Sequence, residues 1–375
     1  MEISETYWSN FRNLKPRRLS WCSGLNLLTG KNGSGKTNML EALNIACGWG
    51  TFNNASLREL CKWDSEESVT SGNIDIFCEA HGEEKIRSEI SISSRVSARI
   101  NMERVSFSEL RAHIPALCFL PGDMNLIDGS PAIRRVFLDK LCSSLSVPYA
   151  KRLSDYKRLV RHRIKLLRIG KSPDITSELM SSIGSWIWSV RSSVIKMLNE
   201  YILNECSLTL SNFPIKLILK PGGIDGSSDY FSCTPNIIKS KFFERLKLLS
   251  EREMKAKVSL AGPHRDDISI LVHRGKEVEA GILSRGQKRR AVVSLLLASG
   301  RIMESKLKRR PIFFLDEIFS ELDEEARQLV AGALFDTGWQ IFASSADSTL
   351  SNWSGKVYEL KEGDVVLSND CLKRC

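Results

Sequence analysis

The chain has 375 residues, of which 42% are hydrophobic and 26% charged, and these ordinary globular values exclude a disordered chain and a fibrous repeat. At about 100–200 residues per domain, this length predicts two or three domains. The sequence has no run that approaches the roughly 20 apolar residues of a membrane span. We therefore expect a soluble protein without a membrane partner.

The net charge indicates the kind of partner to expect, and the cysteines indicate the compartment. Lys plus Arg number 54 against 44 Asp plus Glu, and the net charge of +10 suits a polyanionic partner. Charge alone leaves nucleic acid, anionic lipid and no partner at all as options. The 10 cysteines are scattered without CxxC pairs, which is typical of reduced thiols in the cytoplasm.

The predicted elements change in kind twice along the chain. Short alternating runs predict strands in the N-terminal third, including a hairpin of residues 73–80 and 85–93. Apolar residues then recur at helical spacing from residue 131 to about 210, and residues 235–256 are also predicted to be helical. After residue 257 strands return, interleaved with helices.

This order of elements predicts an α/β fold in which both chain ends build one domain around an inserted helical lobe. We place the domain at residues 1–125 and 257–375, and the mostly helical lobe at residues 126–256. A segment rich in Gly, Pro and Ser at residues 220–228 is predicted to be a loop inside the lobe.

The strongest chemical signal is a glycine-rich loop between a predicted strand and a predicted helix. It fits GxxxxGK[ST] and comprises Gly30, Lys31, Asn32, Gly33, Ser34, Gly35, Lys36 and Thr37. Glycines let backbone N–H groups turn toward phosphates, and the helix N-terminus adds a positive field. Lys36 is expected to reach the β- and γ-phosphates, and Thr37 to bind Mg²⁺. The alternative is a chance glycine-rich turn, which the flanking elements disfavour.

A second signal is an apolar strand, residues 312–315, that ends in two acids. This is the Walker B arrangement, in which Asp316 would hold Mg²⁺ and Glu317 would orient or deprotonate the attacking water. Without the P-loop, a strand followed by a solvated acidic turn would explain the pattern equally well.

A third signal is a polar segment before an apolar helix, formed by Ser284, Arg285, Gly286 and Gln287. Hydroxyl and N–H donors at a helix N-terminus make a second phosphate-binding surface, which is useful if it closes over a nucleotide held by another copy of the chain. A simple polar helix cap is the alternative. The segment resembles the signature of ATP-binding-cassette (ABC) proteins, and Asp323 resembles the acid of their D-loop.

Several stretches together are similar to the bacterial RecF family, an ABC/SMC class of ATPases. They are residues 10–13 (NFRN), 30–41 (GKNGSGKTNMLE), 119–123 (FLPGD), 129–131 (GSP), 134–139 (RRVFLD), 262–267 (GPHRDD), 284–287 and 315–323. These stretches extend over nearly the whole chain, and GPHRDD and RRVFLD are much more specific than a P-loop.

The resemblance implies a P-loop NTPase head with a short helical lobe, acting in recombinational repair and replication-fork maintenance. Such proteins bind ATP and Mg²⁺, form ATP-dependent homodimers, bind DNA at single-strand/double-strand junctions, and help RecA loading together with RecR and RecO. It further implies that Arg12 and Asn13 contact the nucleotide's edge, that residues 284–287 contact the nucleotide in trans, and that Asp323 lies at the dimer seam.

Some residues depart from the family pattern. Arg285 stands where Gln is usual and adds a positive charge beside the trans phosphates, and Glu317 replaces the usual Asp. Residues 340–347 occupy the switch position with hydroxyls and no histidine. These departures favour a weak ATPase whose hydrolysis is slow or differently triggered.

A basic run in the lobe, residues 151–168, is the candidate DNA contact. If the run is helical, Arg158, Arg161 and Lys165 share one face as a stripe for backbone phosphates. A solvated helix with extended basic side chains is an equally weighted alternative. Trp186 and Trp188 are interpreted as packing residues rather than base-stacking platforms.

Two other functions stay open. An ATP-sensing clamp with little hydrolysis would act as an assembly platform, and changing Glu317 to Gln would then have no effect. An ATPase subunit of a membrane transporter is disfavoured by the GPHRDD element and by the basic lobe.

Overall fold

A computed structural model describes residues 1–52, 56–61, 68–78, 82–93, 96–209, 214–224, 234–320, 322–346, 353 and 355–369. The chain divides into two compact units. Unit 1 comprises Met1–Met124, Leu208–Leu210 and Ser284–Cys375, and unit 2 comprises Asn125–Ser207 and Ser211–Leu283. Within the described residues, no helix combines the length and apolarity needed to cross a membrane.

The strands of the described residues, in chain order, are β1 (Glu2–Ser9), β2 (Arg17–Ser20), β3 (Leu25–Thr29), β4 (Ser68–Cys78), β5 (Gly82–Ile92), β6 (Val96–Ile100), β7 (Glu103–Val105), β8 (Ala116–Phe119), β9 (Ile215–Lys220), β10 (Asp267–His273), β11 (Glu277–Glu279), β12 (Ile312–Leu315), β13 (Ile341–Ser345), β14 (Lys356–Lys361) and β15 (Asp364–Asn369). The α-helices are α1 (Lys36–Ala46), α2 (Phe107–His113), α3 (Asn125–Asp128), α4 (Pro131–Leu145), α5 (Val147–Arg168), α6 (Asp174–Thr209), α7 (Pro235–Leu248), α8 (Ser250–Ala256), α9 (Arg285–Leu307) and α10 (Glu324–Phe335).

The main sheet of unit 1 has six strands in the order β15-β14-β3-β13-β12-β8. The strands from β14 to β8 run parallel, and β15 is antiparallel to β14. Parallel sheets are covered on both faces, and accordingly every residue of β3, β12 and β13 is buried. The carboxyl ends of these strands share one edge, where open α/β sheets bind ligands.

The second sheet of unit 1 is antiparallel, with the order β2-β1-β4-β5-β6-β7. Its β4 and β5 form the hairpin that the sequence predicted, with Cys78 opposite Gly82. Side chains of both sheets and of α1 share one apolar cluster, which includes Trp8, Leu40 and Phe314. This cluster fixes α1, and with it the loop before α1, on the main sheet.

Unit 2 combines helices α3 to α8 with a three-stranded antiparallel sheet in the order β11-β10-β9. Residues 257–283, which we had assigned to the head, lie in unit 2 because β10 pairs with β9 along its whole length. A strand pattern does not say which sheet the strand joins. Unit 1 therefore resumes at Ser284 rather than at residue 257.

Charged side chains lie in the interior of unit 2. Arg191 is 1% exposed and pairs with Asp139 at 2.7 Å and with Asp266, while Arg134 pairs with Asp267 at 2.7 Å. The two sequence stretches RRVFLD and GPHRDD therefore meet through ion pairs. Removing one partner of such a buried pair costs roughly 3–5 kcal/mol, because the other charge is left unpaired. These residues hold unit 2 together.

Candidate nucleotide-binding site

The P-loop connects β3 to α1. Gly30, Gly33 and Gly35 have φ angles of +142°, +82° and +107°, which favour glycine. A Cβ on Gly30 would lie 2.4 Å from the backbone oxygen of Leu360, so this position needs glycine for space as well. Because α1 begins at Lys36 without a side-chain cap, the N–H groups of its first turn are left for a ligand.

Two polar side chains of the P-loop lie against the loop itself. Lys36 is 5% exposed, and its Nζ donates to the carbonyl oxygens of Gly30 at 2.6 Å and Lys31 at 3.1 Å. Burial lowers the pKa of Lys36, while the nearby charges of Glu317 and Asp316 oppose this shift. Ser34 is buried too, and its Oγ has no hydrogen-bond partner among the described residues. Lys31, Asn32 and Gly33 are exposed.

A carboxylate and two hydroxyls meet where the P-loop approaches β12. Thr37 Oγ1 donates to Asp316, at 2.9 Å from Oδ2 and 3.2 Å from Oδ1. Ser344, which is buried in β13, donates to Asp316 Oδ1 at 2.6 Å. The structure thus brings together Thr37 and Asp316, the two residues predicted to bind Mg²⁺.

The residue after Asp316 has a strained backbone. Glu317 has a φ of +51°, a left-handed conformation that costs a residue other than glycine on the order of 1–3 kcal/mol. Its backbone N–H donates to Ser344 Oγ at 2.9 Å, and its carbonyl accepts from Ser320 N–H at 3.1 Å. Ser344 therefore joins Asp316 to the backbone of Glu317. The sequence has several hydroxyl residues at this position, and nothing in it singles out Ser344.

Arg12 and Asn13 lie beside the P-loop and α1. Asn13 donates to the Gly33 carbonyl at 3.3 Å and accepts from Asn38 at 2.7 Å. Arg12 pairs with Glu41 of α1 at 2.8 Å. Burial raises the pKa of Glu41, whereas an N–H donor from Phe52 and the charge of Arg12 lower it. Both residues are therefore held beside the P-loop and α1, and their contact with the edge of a nucleotide stays a prediction.

The signature segment opens α9. Ser284 Oγ accepts from the Gln287 N–H at 3.3 Å, and the Gln287 side chain accepts from the Ser284 N–H at 3.0 Å, which makes a capping box. The helix-cap alternative is thus present in the structure. Ser284 and Arg285 nevertheless stay exposed. A Cβ on Gly286 would meet no described atom within 4 Å, so packing in this part of the chain does not require glycine there.

The D-loop candidate begins α10. Asp323 is exposed, and its Oδ1 accepts from the Ala326 N–H at 2.8 Å as the helix N-cap. Arg289, buried in α9, donates to Ser320 Oγ. The signature helix is therefore tied to the segment that follows Glu317. Residue 321 of the D-loop lies outside the described residues.

The basic stripe predicted for the lobe lies on α5 of unit 2. Arg158, Arg161 and Lys165 are all exposed there. Arg163 of the same run is different, since it is 0% exposed and pairs with the equally buried Glu253 at 2.6 Å. Nothing in the sequence distinguished this structural arginine from its surface neighbours.

Comparisons with known proteins show the family of this chain. The family described as "RecF/RecN/SMC N terminal domain" matches residues 2–366. The DNA replication and repair protein RecF of Teredinibacter turnerae is 30% identical, over 98% of this chain and 96% of its own length. RecF of Thermoanaerobacter sp. strain X514 is 27% identical, over 98% of this chain and 99% of its own length.

A solved structure shows the same architecture. The recombination mediator protein RecF-ATPrS in the RecFOR pathway has a TM-score of 0.85 and 26% identity, covering 97% of this chain and 98% of that one. The resemblance and the ABC/SMC-type fold predicted from the sequence are both confirmed. The chain therefore belongs to the RecF/RecN/SMC N terminal domain family and, within it, to the RecF proteins of DNA replication and repair.

Proposed function

We propose that this protein binds ATP with Mg²⁺ in unit 1 and that ATP closes a homodimer which binds DNA. The observation that carries the proposal is the hydrogen-bonded set of Thr37, Asp316 and Ser344, where a P-loop hydroxyl meets a Walker B carboxylate. Solved structures described as RecF-ATP and RecF-ATPrS lend support, because each covers 97% of this chain.

The ATP phosphates are expected to lie along the P-loop. Backbone N–H groups of the glycine-rich turn and of the first turn of α1 would donate to them. The Lys36 ammonium, which now donates to carbonyl oxygens of the loop, would exchange these for β- and γ-phosphate oxygens. The unpartnered hydroxyl of Ser34 supplies one more donor. Arg12 and Asn13 would contact the nucleotide's edge.

The same site fits Mg²⁺. Mg²⁺ prefers oxygen ligands and usually takes only one or two from the protein, with water and phosphate oxygens for the rest. Thr37 Oγ1 and the Asp316 carboxylate, already within hydrogen-bond distance, are such a pair. When bound, the ion would neutralise negative charge on the β- and γ-phosphates.

Glu317 is proposed to orient the water that attacks ATP. Its charge acts on Lys36, as does that of Asp316, so the three groups belong to one electrostatic site. The hydrogen bond from its N–H to Ser344 holds the strained backbone in place. In this scheme hydrolysis is slow and serves to reopen the dimer.

The signature segment and Asp323 are proposed to face a second copy of the chain. Ser284 and Arg285 are exposed, and Gly286 leaves space that no described atom of the same chain fills. A phosphate of the partner's nucleotide could then approach the N-terminus of α9, where Arg285 adds a positive charge. Asp323, exposed at the start of α10, would lie at the seam.

DNA is the proposed polyanionic partner. The net charge of +10 and the exposed stripe of Arg158, Arg161 and Lys165 suit backbone phosphates. We further propose that single-strand/double-strand junctions are preferred, and that RecR and RecO act with this protein to help RecA loading.

The proposal is tested by fluorescence-anisotropy binding to gapped duplex, plain duplex and single-stranded DNA, with and without ATP and Mg²⁺, at two salt concentrations. ATP should tighten binding, and the preference for the gapped duplex should persist at the higher salt. Lys36→Ala should abolish the gain from ATP, because the phosphates lose their ammonium partner.

Lys306→Ala is the matched control, since Lys306 is an exposed lysine of the same unit in the last turn of α9, at the opposite end of that helix from the signature segment. It should keep the gain from ATP. If binding ignores ATP and weakens equally for all three DNAs as salt rises, the charge of the protein attracts DNA only non-specifically, and the proposal is wrong.

A further inference from the structure

A cavity of about 850 Å³ lies within unit 2, between α5, α6 and α7. Its wall includes the cationic side chains of Lys151, Arg152 and Lys239. The acid on the wall, Asp155, lies 3.5 Å from Arg158, so its charge is partly compensated. The cavity is therefore positive and suited to an anionic ligand.

The ring of Trp186 holds the guanidinium of Arg152 in place. The guanidinium carbon of Arg152 lies 4.1 Å from the centroid of the Trp186 ring, and Trp186 in turn contacts the buried ring of Tyr149 at 6.0 Å. A guanidinium stacked in this way is held in one orientation. Planar guanidinium groups stack on unpaired bases, so Arg152 offers a surface for a base beside the cationic wall.

The size of the cavity and the polarity of its wall suit a nucleotide. A volume of about 850 Å³ lies within the range of pockets that hold small molecules. Ser189 and Asn236 also line it, and their hydroxyl and amide groups can bond to base edges.

The cavity continues the exposed basic face of α5. Lys151, Arg158 and Lys165 recur every seven residues, so they lie on one side of the helix, and at 1.5 Å per residue they span about 21 Å. Duplex DNA has one phosphate per roughly 3.4 Å of helix axis in each strand, so this face is about as long as six base pairs of duplex. A DNA strand that lies along this face of α5 reaches Lys151, which also lines the cavity.

We propose that this cavity accepts one unpaired nucleotide from the single-stranded part of a gapped DNA. The phosphate lies between Lys151 and Lys239, and the base stacks on the guanidinium of Arg152. Trp186, which we had interpreted as a packing residue, packs on Tyr149 and also orients Arg152. This inference rests on the proposed DNA-binding function. It specifies that unit 2 recognises an unpaired nucleotide in the single-stranded part of the DNA.

The test compares two gapped duplexes of equal length, in which the gap strand carries either normal nucleotides or abasic sites. Both have the same phosphates, so only base contacts differ. In fluorescence anisotropy with ATP and Mg²⁺, the abasic gap should bind about tenfold more weakly, as expected for the loss of one stacked base. The double variant Arg152→Ala/Lys239→Ala should bind both gaps alike.

The control is the double variant Lys171→Ala/Lys255→Ala, which removes two exposed positive charges of unit 2 outside the cavity. It should keep the tenfold difference. A second measurement places 2-aminopurine in the gap, and its fluorescence should change on binding to the wild type and the control but not to the cavity variant.

Each other outcome overturns the inference in a recognisable way. Equal affinity of the wild type for both gaps means that no base is held, while ATP-dependent DNA binding still stands. A tenfold preference that persists in the cavity variant means that the base is read elsewhere. If the wild type binds neither gap, the proposed function and this inference fall together.

Discussion

Replacing Ser344 by Ala should weaken both the fold of unit 1 and its nucleotide chemistry. Ser344 is 0% exposed, and its hydroxyl donates to Asp316 at 2.6 Å and accepts the Glu317 N–H at 2.9 Å. A hydrogen bond to a charged group contributes about 1.5–3 kcal/mol, and an N–H left without its acceptor costs roughly 1–3 kcal/mol. Together these contributions lower the expected free energy of unfolding by about 2.5–6 kcal/mol.

The same change should slow ATP turnover. Partners that orient a metal-binding carboxylate typically contribute about 10–100-fold to metal affinity or activity, and Ser344 would be such a partner if Asp316 binds Mg²⁺ as proposed. We therefore expect a 10–100-fold loss in steady-state hydrolysis. Ser344→Thr keeps the hydroxyl, so it should recover most of the loss that Ser344→Ala causes.

A matched control separates the loss of the two hydrogen bonds that join Asp316 to Glu317 through Ser344 from the mere loss of a buried hydroxyl. Ser299 of α9 is also 0% exposed, but among the described residues its Oγ bonds to a single partner, the Leu295 carbonyl one turn earlier, at 2.7 Å. Ser299→Ala should change the unfolding free energy by less than about 0.5 kcal/mol, because the carbonyl keeps its helical partner. Urea unfolding and ATP turnover are measured for all three variants. If Ser344→Ala behaves like Ser299→Ala in both assays, the bridging role is refuted.

Three further changes test other parts of the structure. Glu317→Gln should lower ATP hydrolysis at least about hundredfold, because the carboxylate proposed to orient the attacking water is lost, and an ATP-bound dimer should accumulate in light scattering. A dimer fraction equal to that of the wild type would exclude a role of Glu317 in reopening the dimer. Gly300→Ala should destabilise unit 1 by about 1–3 kcal/mol in urea unfolding, because its Cβ would lie 2.4 Å from the ring of the buried Trp339. Gly50→Ala, where the new Cβ meets no described atom within 4 Å, is the control, and equal losses in the two variants would contradict the argument. Burial lowers the pKa of His264 to about 4 from 6.5, so the unfolded chain takes up a proton before the folded one. The contribution of His264 to the free energy of unfolding should therefore fall by about 3 kcal/mol between pH 6.5 and 4 and stay level above that range. Asp266, whose pKa burial raises to about 6, contributes in the opposite direction below pH 6, so the His264 part is measured as the difference between the wild type and a His264 variant. His264→Gln should remove this part of the pH dependence, and an unchanged pH profile of unfolding would show that the proton binds elsewhere.

The sequence was sufficient to predict those parts of the candidate site whose geometry is encoded by a contiguous motif. The P-loop carries its own strand, turn and helix start, and Asp316 follows a strand that is buried in any parallel sheet. Both signals place residues at the carboxyl edge of the same sheet, so the proximity of Thr37 and Asp316 followed from the fold class.

The sequence alone did not predict the role of Ser344, because this role depends on the register in which β13 pairs with β12. β13 pairs with β12 so that Ala343 lies opposite Leu315, which sets the next residue of each strand side by side. In the sequence, Ser344 is one of several hydroxyl residues after an apolar run, and a shift of one position would place another of them beside Asp316.

The sequence also did not predict which charged side chains are buried in unit 2 or which residues they pair with. Arg163 and Arg191 are fully buried in ion pairs with Glu253 and Asp266, partners far away in the chain. An arginine within a helix is usually exposed, and only the fold shows that its partner is supplied from elsewhere. The boundary at Ser284 was missed for a related reason, since strand patterns do not specify their pairing partners.

The order of strands in the main sheet of unit 1 also constrains how the protein can be made. β3, which delivers the P-loop, lies between β13 and β14, and these strands come more than 300 residues later in the chain. At roughly 5–20 residues per second, a ribosome leaves β3 without its two neighbours for about 15–60 s. The P-loop strand can therefore be enclosed only after β13 and β14 have been made, and a nascent chain that stops before β13 would expose both edges of its P-loop strand to aggregation and proteolysis.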